Sequence, residues 1–195
     1  MSTKIIFSRG FVAHSKPDPQ EWYVAYTFPH AEKKVQSNLE KIGIGAYLPL
    51  HQVIRNWSDR KKKLLVPLFP NYIFVHTSSK QRHETFMVKE IIRYVSFDGR
   101  PATIRDAVIN SLQNVLREKT EINIEQFVKA GSHVRIIKGP FSGTEGFLIR
   151  RNGNTRLLVQ IDALQQGISV NISIDDISPL AIKDNDIYFN KCLNI

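Results

Sequence analysis

The chain has 195 residues with 27 Lys or Arg against 18 Asp or Glu, a net charge of +9, so it can hold one large or two small domains and favours an anionic partner. Its one cysteine, Cys192, excludes an internal disulfide and any Cys-based metal site, and no run approaches the ~20 apolar residues of a membrane helix. The charge is uneven: residues 21 to 120 carry 16 basic and 9 acidic side chains, residues 127 to 180 carry 6 and 4.

Residues 1–20 contain two short apolar runs broken by Arg9, Gly10 and His14, which suits a flexible N-terminal extension of a cytoplasmic protein rather than a signal peptide. Trp22 to Phe28 reads as a buried strand. Pro29 then offers a first helical position, and Ala31, Val35, Leu39 and Ile42 form one apolar stripe that Gly43 closes. Lys33 and Lys34 lie on the opposite face.

Tyr47 to Trp57 and Lys63 to Val75 read as an antiparallel hairpin across the tip Ser58 to Lys62. Five cations, Arg55, Arg60, Lys61, Lys62 and Lys63, stand there against Asp59, with Trp57 and His51 among them. Cations attract phosphate without regard to sequence, and interleaved rings are what unpaired bases stack on. A solvated tip that discourages edge pairing would look the same. Beyond it, Phe69, Tyr72 and Phe74 crowd one strand; alternation sends Tyr72 and Phe74 one way and Asn71, Ile73 and Val75 the other, one face for a core and one open.

Ser78 with Gln81 caps a short helix to Lys89, a strand runs from Ile91 to Phe97, and Asp98-Gly99 turns the chain. Thr103 with Asp106 reads as a capping pair for a helix to Lys119, striped by Ile104, Val108, Leu112, Val115 and Leu116. This order is that of an α+β sandwich over residues 21–119. Residues 120–130 read as a linker. His133 to Lys138, Gly146 to Arg151, Arg156 to Ile161 and Ile168 to Ile172 read as the strands of a small barrel over 131–181, with 182–195 a tail. Between the first two, three glycines and a proline surround Phe141, which either covers the barrel mouth or anchors a partner.

The six histidines form no metal-binding pair, and no nucleophile motif or phosphate-cradling loop occurs. Neither catalysis, a cofactor nor a metal is expected.

Taken together, these residues resemble the NusG-type transcription elongation factors, with an N-terminal NGN domain and a C-terminal SH3-like KOW barrel. Trp22-Tyr23-Val24-x-Tyr26 is similar to the opening NGN strand, Pro67 to Val75 to its most recognisable strand, and Val134 to Gly146 to the KOW signature. Within the family, Leu68 to Phe74 resembles the specialised RfaH group. Arg55 to Lys63 resembles the UpxY group, which antiterminates capsular polysaccharide operons.

The resemblance implies that Tyr26, Pro70, Tyr72 and Phe74, with Phe69 beside them, bind the clamp helices of the largest RNA polymerase subunit, and that His83 and Thr85 touch the other large subunit. It implies that Lys34, Arg60 and Lys61, supported by Lys33, Arg55, Trp57, Lys62 and Lys63, face non-template DNA or nascent RNA. It further implies that the KOW barrel recruits a ribosomal protein or Rho, with Phe141 the candidate contact. Glu84, Phe28, Asn38 and Ser58 depart from the RfaH pattern, which keeps a general NusG-type factor open, alongside a ribosome-associated RNA-binding protein built on the barrel.

Overall fold

A computed structural model describes residues 18–56, 61–118, 122–126, 131–151 and 153–180. Most of the expected N-terminal extension, the hairpin tip with Trp57 and Arg60, and the tail from residue 181 lie outside the described residues.

The first unit runs β1 (Gln20–Thr27), α1 (Glu32–Lys41), β2 (Gly45–Tyr47), β3 (Leu50–Asn56), β4 (Lys61–Pro67), β5 (Tyr72–Ser78), a 3-10 helix (Gln81–Met87), β6 (Ile91–Tyr94), the short strands β7 (Ser96–Phe97), β8 (Arg100–Pro101) and β9 (Thr103–Ile104), and α2 (Asp106–Arg117). Strands β2, β5, β1 and β6 lie in that order in one antiparallel sheet, with β9 also on β1. Period-two alternation decides what each face buries. Tyr23, Ala25, Ile73 and Val75 join Val35 and Leu39 of α1 in one core. Val24 and Phe74 join Ile109, Leu112 and Val115 of α2 in the other. The α+β sandwich expected from the order of elements is present.

Helix α1 ends where its stripe predicted. Gly43 takes φ 76°, its N–H donates to the Glu40 carbonyl at 3.1 Å, and the Ile44 N–H reaches Leu39 at 3.0 Å. That is a Schellman stop, in which glycine removes the Cβ penalty of the left-handed residue. The start differs from expectation: His30 (φ 63°) turns the chain and the helix begins at Glu32, three residues after Pro29. At the other helix the Thr103 cap is not made. Thr103 pairs with Tyr23, and Arg105 flanks α2 without a side-chain cap.

The expected strand from Lys63 to Val75 is two strands. Pro67 and Pro70 withhold ladder donors, and Asn71 at φ 69° bends the chain between β4 and β5. Strand β4 stays with β3 in a separate two-stranded sheet, while β5 enters the main one.

The second unit is all β: β10 (Asn123–Gln126), β11 (His133–Ile136), β12 (Glu145–Arg151), β13 (Asn154–Ile161), β14 (Gln166–Asn171) and β15 (Ile177–Pro179), in the antiparallel order β10-β14-β13-β12-β11-β15. Gly146 permits its tight packing, since a Cβ there would stand 2.4 Å from the Leu158 carbonyl oxygen. Strand β10 lies within the stretch expected to be a linker. Buried Arg156 explains the difference. Its Nε donates to Ser169 Oγ and its Nη2 to the Ser169 carbonyl, each at 2.9 Å. The Ser169 hydroxyl passes the connection on to Glu125 Oε1 at 2.7 Å. With its amide oxygen turned toward the guanidinium, Asn123 accepts from Nη1 at 2.9 Å and Nη2 at 2.6 Å. Polar residues that read as linker are therefore the partners a buried arginine needs.

Helix α2 serves both units. One continuous apolar cluster joins Phe69 and Phe74, the inner face of α2, and the barrel residues Val134, Ile136, Leu157 and Val159. On α2, Ser111 is 1% exposed.

Candidate functional site

The turn from Phe69 to Tyr72 organises the aromatic site. Pro70 supplies its second position, Asn71 with positive φ its third, and the Tyr72 N–H donates to the Phe69 carbonyl at 3.3 Å. That is the pattern of a type II turn. It delivers Tyr72 directly opposite Tyr26 on β1, and the two rings sit 5.3 Å apart. Arg93 of β6, also opposite Tyr26, lays its guanidinium 5.5 Å from that ring's centroid. Both tyrosines are half-buried and Pro70 is exposed. The result is a stepped patch of two phenols, a proline ring and a cation at one end of a sheet face whose middle is filled. Arg93 was missed in the sequence because only strand pairing places it beside Tyr26.

Two aromatic expectations are corrected. Phe69 is 1% exposed and Phe74 is fully buried, their rings edge to face at 6.3 Å. The face expected to stay open at Phe74 is closed because α2 and its cluster cover it. Thr85 is corrected too. It is fully buried, its hydroxyl donating to the Arg82 carbonyl at 2.6 Å and lying 2.9 Å from Tyr94 Oη, whose pKa burial pushes up to about 12. His83, two residues earlier, is exposed.

The basic residues divide by structure. Lys61, Lys62 and Lys63 are exposed on β4. Register puts Lys61, Lys63 and Leu65 on one hairpin face with Gln52 and Ile54. The other face carries His51, Val53, Leu64 and Val66, all partly buried. Burial there holds the His51 imidazole below its ordinary pKa. Arg55 lies in β3 opposite Lys62. The two helix lysines are engaged: Lys33 Nζ donates to the Leu65 carbonyl at 3.0 Å, tying α1 to the hairpin, and Lys34 pairs with Glu90 at 2.6 Å. The Lys34 contact also lowers the Glu90 pKa.

Phe141 is a further correction. It is 8% exposed and belongs to the barrel cluster, so of its two readings the covering one fits and the exposed anchor does not. Gly139 (φ 78°) and Gly143 (φ 85°) let the loop fold the ring inward. A small open depression beside it is lined by Lys138, Asn171, Ser173 and Asp176. Among the described residues no group of three or more His, Cys, Asp or Glu gathers that could hold a metal, and no helix is long and apolar enough to cross a membrane.

Residues 20–113 match a family described as "Transcription termination factor nusG". The chain is similar to the transcription termination/antitermination protein NusG of Thermus thermophilus, 24% identical over 78% of this chain and 96% of that one. The NusG protein of Lactococcus lactis is also 24% identical, over 83% and 94%. A solved structure described as "Domain interaction in Thermotoga maritima NusG" aligns at 23% identity and a TM-score of 0.44, covering 84% of this chain and 98% of that one.

Proposed function

We propose that this chain is a NusG-type transcription elongation factor, a non-enzymatic cytoplasmic protein that rides on RNA polymerase and suppresses pausing and termination. One observation carries the reading. Within the part of the chain that matches the family, Tyr26 and Tyr72 form a partly exposed aromatic pair beside exposed Pro70, on a sheet face that is otherwise filled. Half-exposed rings over a rigid sheet are good anchors for a partner's apolar surface. The resemblance implies that this partner is the coiled-coil clamp helices of the largest polymerase subunit, with His83 beside the other large subunit.

The hairpin supplies the second partner. Lys61 and Lys63, with Arg55, Trp57, Arg60 and Lys62 of the same stretch of sequence, contact non-template DNA or nascent RNA through the phosphate backbone. Lys33 ties α1 to the hairpin through the Leu65 carbonyl, Lys34 is paired with Glu90, and both add to the basic character of the contact. Through its barrel the factor recruits a ribosomal protein or Rho, by surface other than the buried Phe141.

The specialised form of this reading is antitermination of capsular polysaccharide operons, supported by the likeness of residues 55–63 and 68–74 to the UpxY and RfaH groups. A general elongation factor is the second reading, favoured by Glu84, Phe28, Asn38 and Ser58, which depart from the RfaH pattern. Pull-down of core RNA polymerase, set against co-sedimentation with ribosomes, tests the common part. The reading expects stoichiometric capture of polymerase without DNA. Sedimentation with ribosomes and no polymerase capture would overturn it in favour of a ribosomal RNA-binding protein.

A further inference from the structure

Glu32 is the first residue of α1, yet only 4% of it is exposed, and it makes no salt bridge among the described residues. Its Oε1 accepts the backbone N–H of Asn71 at 2.8 Å, across 39 residues of sequence. A charge withdrawn from water is costly unless something inside the fold needs it.

What needs it is the turn. A β-turn with Pro at its second position is compatible with two forms, which differ by a flip of the central peptide. Type I takes negative φ at the third residue and suits almost any side chain. Type II takes positive φ there, which glycine adopts freely, asparagine at a reduced penalty, and most other residues at a cost of about 1 kcal/mol or more. This chain has Asn71 in that conformation, at φ 69°, so the turn keeps a residual penalty that glycine would not carry. The flip that separates the two forms reverses the N–H of the third residue, and that N–H is the group Glu32 accepts. The Asn71 carbonyl is held as well, by the Thr27 N–H at 2.9 Å. With one end fixed on α1 and the other on β1, the residue after it, Tyr72, is set against Tyr26.

We propose that Glu32 is a positioning residue for the aromatic patch: its buried carboxylate selects the type II form of the Phe69–Tyr72 turn and so fixes the step between Tyr72 and Tyr26. This rests on the reading of that patch as the polymerase contact. Glu32 touches no partner; it acts through the turn. A charge-assisted hydrogen bond of this kind is strong enough to shift a turn equilibrium by tenfold or more.

The test uses the full chain and four variants: Glu32→Ala, Glu32→Gln, Glu32→Ala with Asn71→Gly, and Tyr72→Ala. Binding to core RNA polymerase is measured by titration, and the turn itself by hydrogen exchange of the Asn71 amide. Glu32→Ala is expected to lose amide protection and weaken binding roughly tenfold. Glu32→Gln keeps an acceptor oxygen but loses the charge, and is expected to bind between wild type and Glu32→Ala. Adding Asn71→Gly, which adopts positive φ without penalty, restores binding to Glu32→Ala. A role confined to helix stability would not be rescued by glycine in a distant turn. Wild-type binding by Glu32→Ala, or failure of Asn71→Gly to rescue it, overturns the proposal. If Tyr72→Ala binds normally the polymerase reading fails instead, and an Asn71 amide that stays protected in Glu32→Ala refutes the turn selection on its own.

Discussion

Ser111 Oγ on α2 accepts the backbone N–H of Glu145 on β12 at 2.9 Å, a hydrogen bond that joins the sandwich to the barrel. It sits at the edge of the apolar cluster shared by both units, so α2 is a wall of two cores at once. Replacing Ser111 by Ala leaves the Glu145 amide unpaired and should cost about 1 kcal/mol of docking. Ser111→Arg, forcing a long charged side chain into a site only 1% exposed, should separate the units. Nitrogen-15 relaxation checks this: independent tumbling of residues 133–179 is expected in the arginine variant, and a single correlation time in wild type.

A nucleic-acid contact at the hairpin would have a signature in salt. Lys61 and Lys63 are exposed, so changing both to Gln should leave the melting temperature nearly unchanged. If they neutralise phosphates, the slope of log K against log salt should become shallower by about 2 units, at roughly 0.9 per contact. Titration of a labelled oligonucleotide at several salt concentrations measures it. An unchanged slope would make the tip a solvated, aggregation-resisting edge.

Arg156 should be indispensable to strand β10. Arg156→Leu removes four hydrogen bonds, two to Ser169 and two to Asn123, and leaves the Ser169 hydroxyl that meets Glu125 without its other partner, which should cost about 2 to 4 kcal/mol. Because β10 is an edge strand of four residues, the loss should appear first as faster amide exchange over Asn123–Gln126 and only later in the rest of the barrel.

Acid should loosen the hairpin through His51. Burial depresses its folded-state pKa, so the unfolded chain takes up a proton more readily. The resulting stability is fully present above the unfolded value, roughly 6.5, and is lost as pH falls below that toward the folded value. Protection of the Val53 and Leu64 amides, measured as exchange relative to the intrinsic rate at each pH, should fall between pH 7 and 5, and His51→Gln should flatten that dependence.

Much of this was legible in the sequence, in proportion to how local the cause was. The glycine stop of α1 and the burial of Val35 and Leu39 depend on neighbours within a turn and stand where the spacing put them, whereas Ile42 of the same stripe is exposed beyond the helix end. The alternation of Tyr72, Ile73, Phe74 and Val75 also held, because a strand has period two whatever covers it. What covers it is not local. Phe74 was expected to be open and is buried, since nothing in residues 67–75 reports that α2 returns to that face. Strand β10 was hidden for the same reason: Asn123 and Glu125 look like linker until Arg156, more than thirty residues on, is placed beside them. Arg93 and Glu32 complete the aromatic patch from other elements, and only register reveals them.

In the proposed function Tyr72 meets RNA polymerase, while Phe74, two residues on, is buried and holds the fold. Titrating core RNA polymerase with wild type, Tyr72→Ala and Phe74→Ala, each checked by chemical denaturation, separates the two roles. Tyr72→Ala should weaken binding by about thirtyfold or more with a loss of stability below about 2 kcal/mol. Phe74→Ala should lose about 3 to 5 kcal/mol of stability. Wild-type affinity in a folded Tyr72→Ala protein would contradict the account.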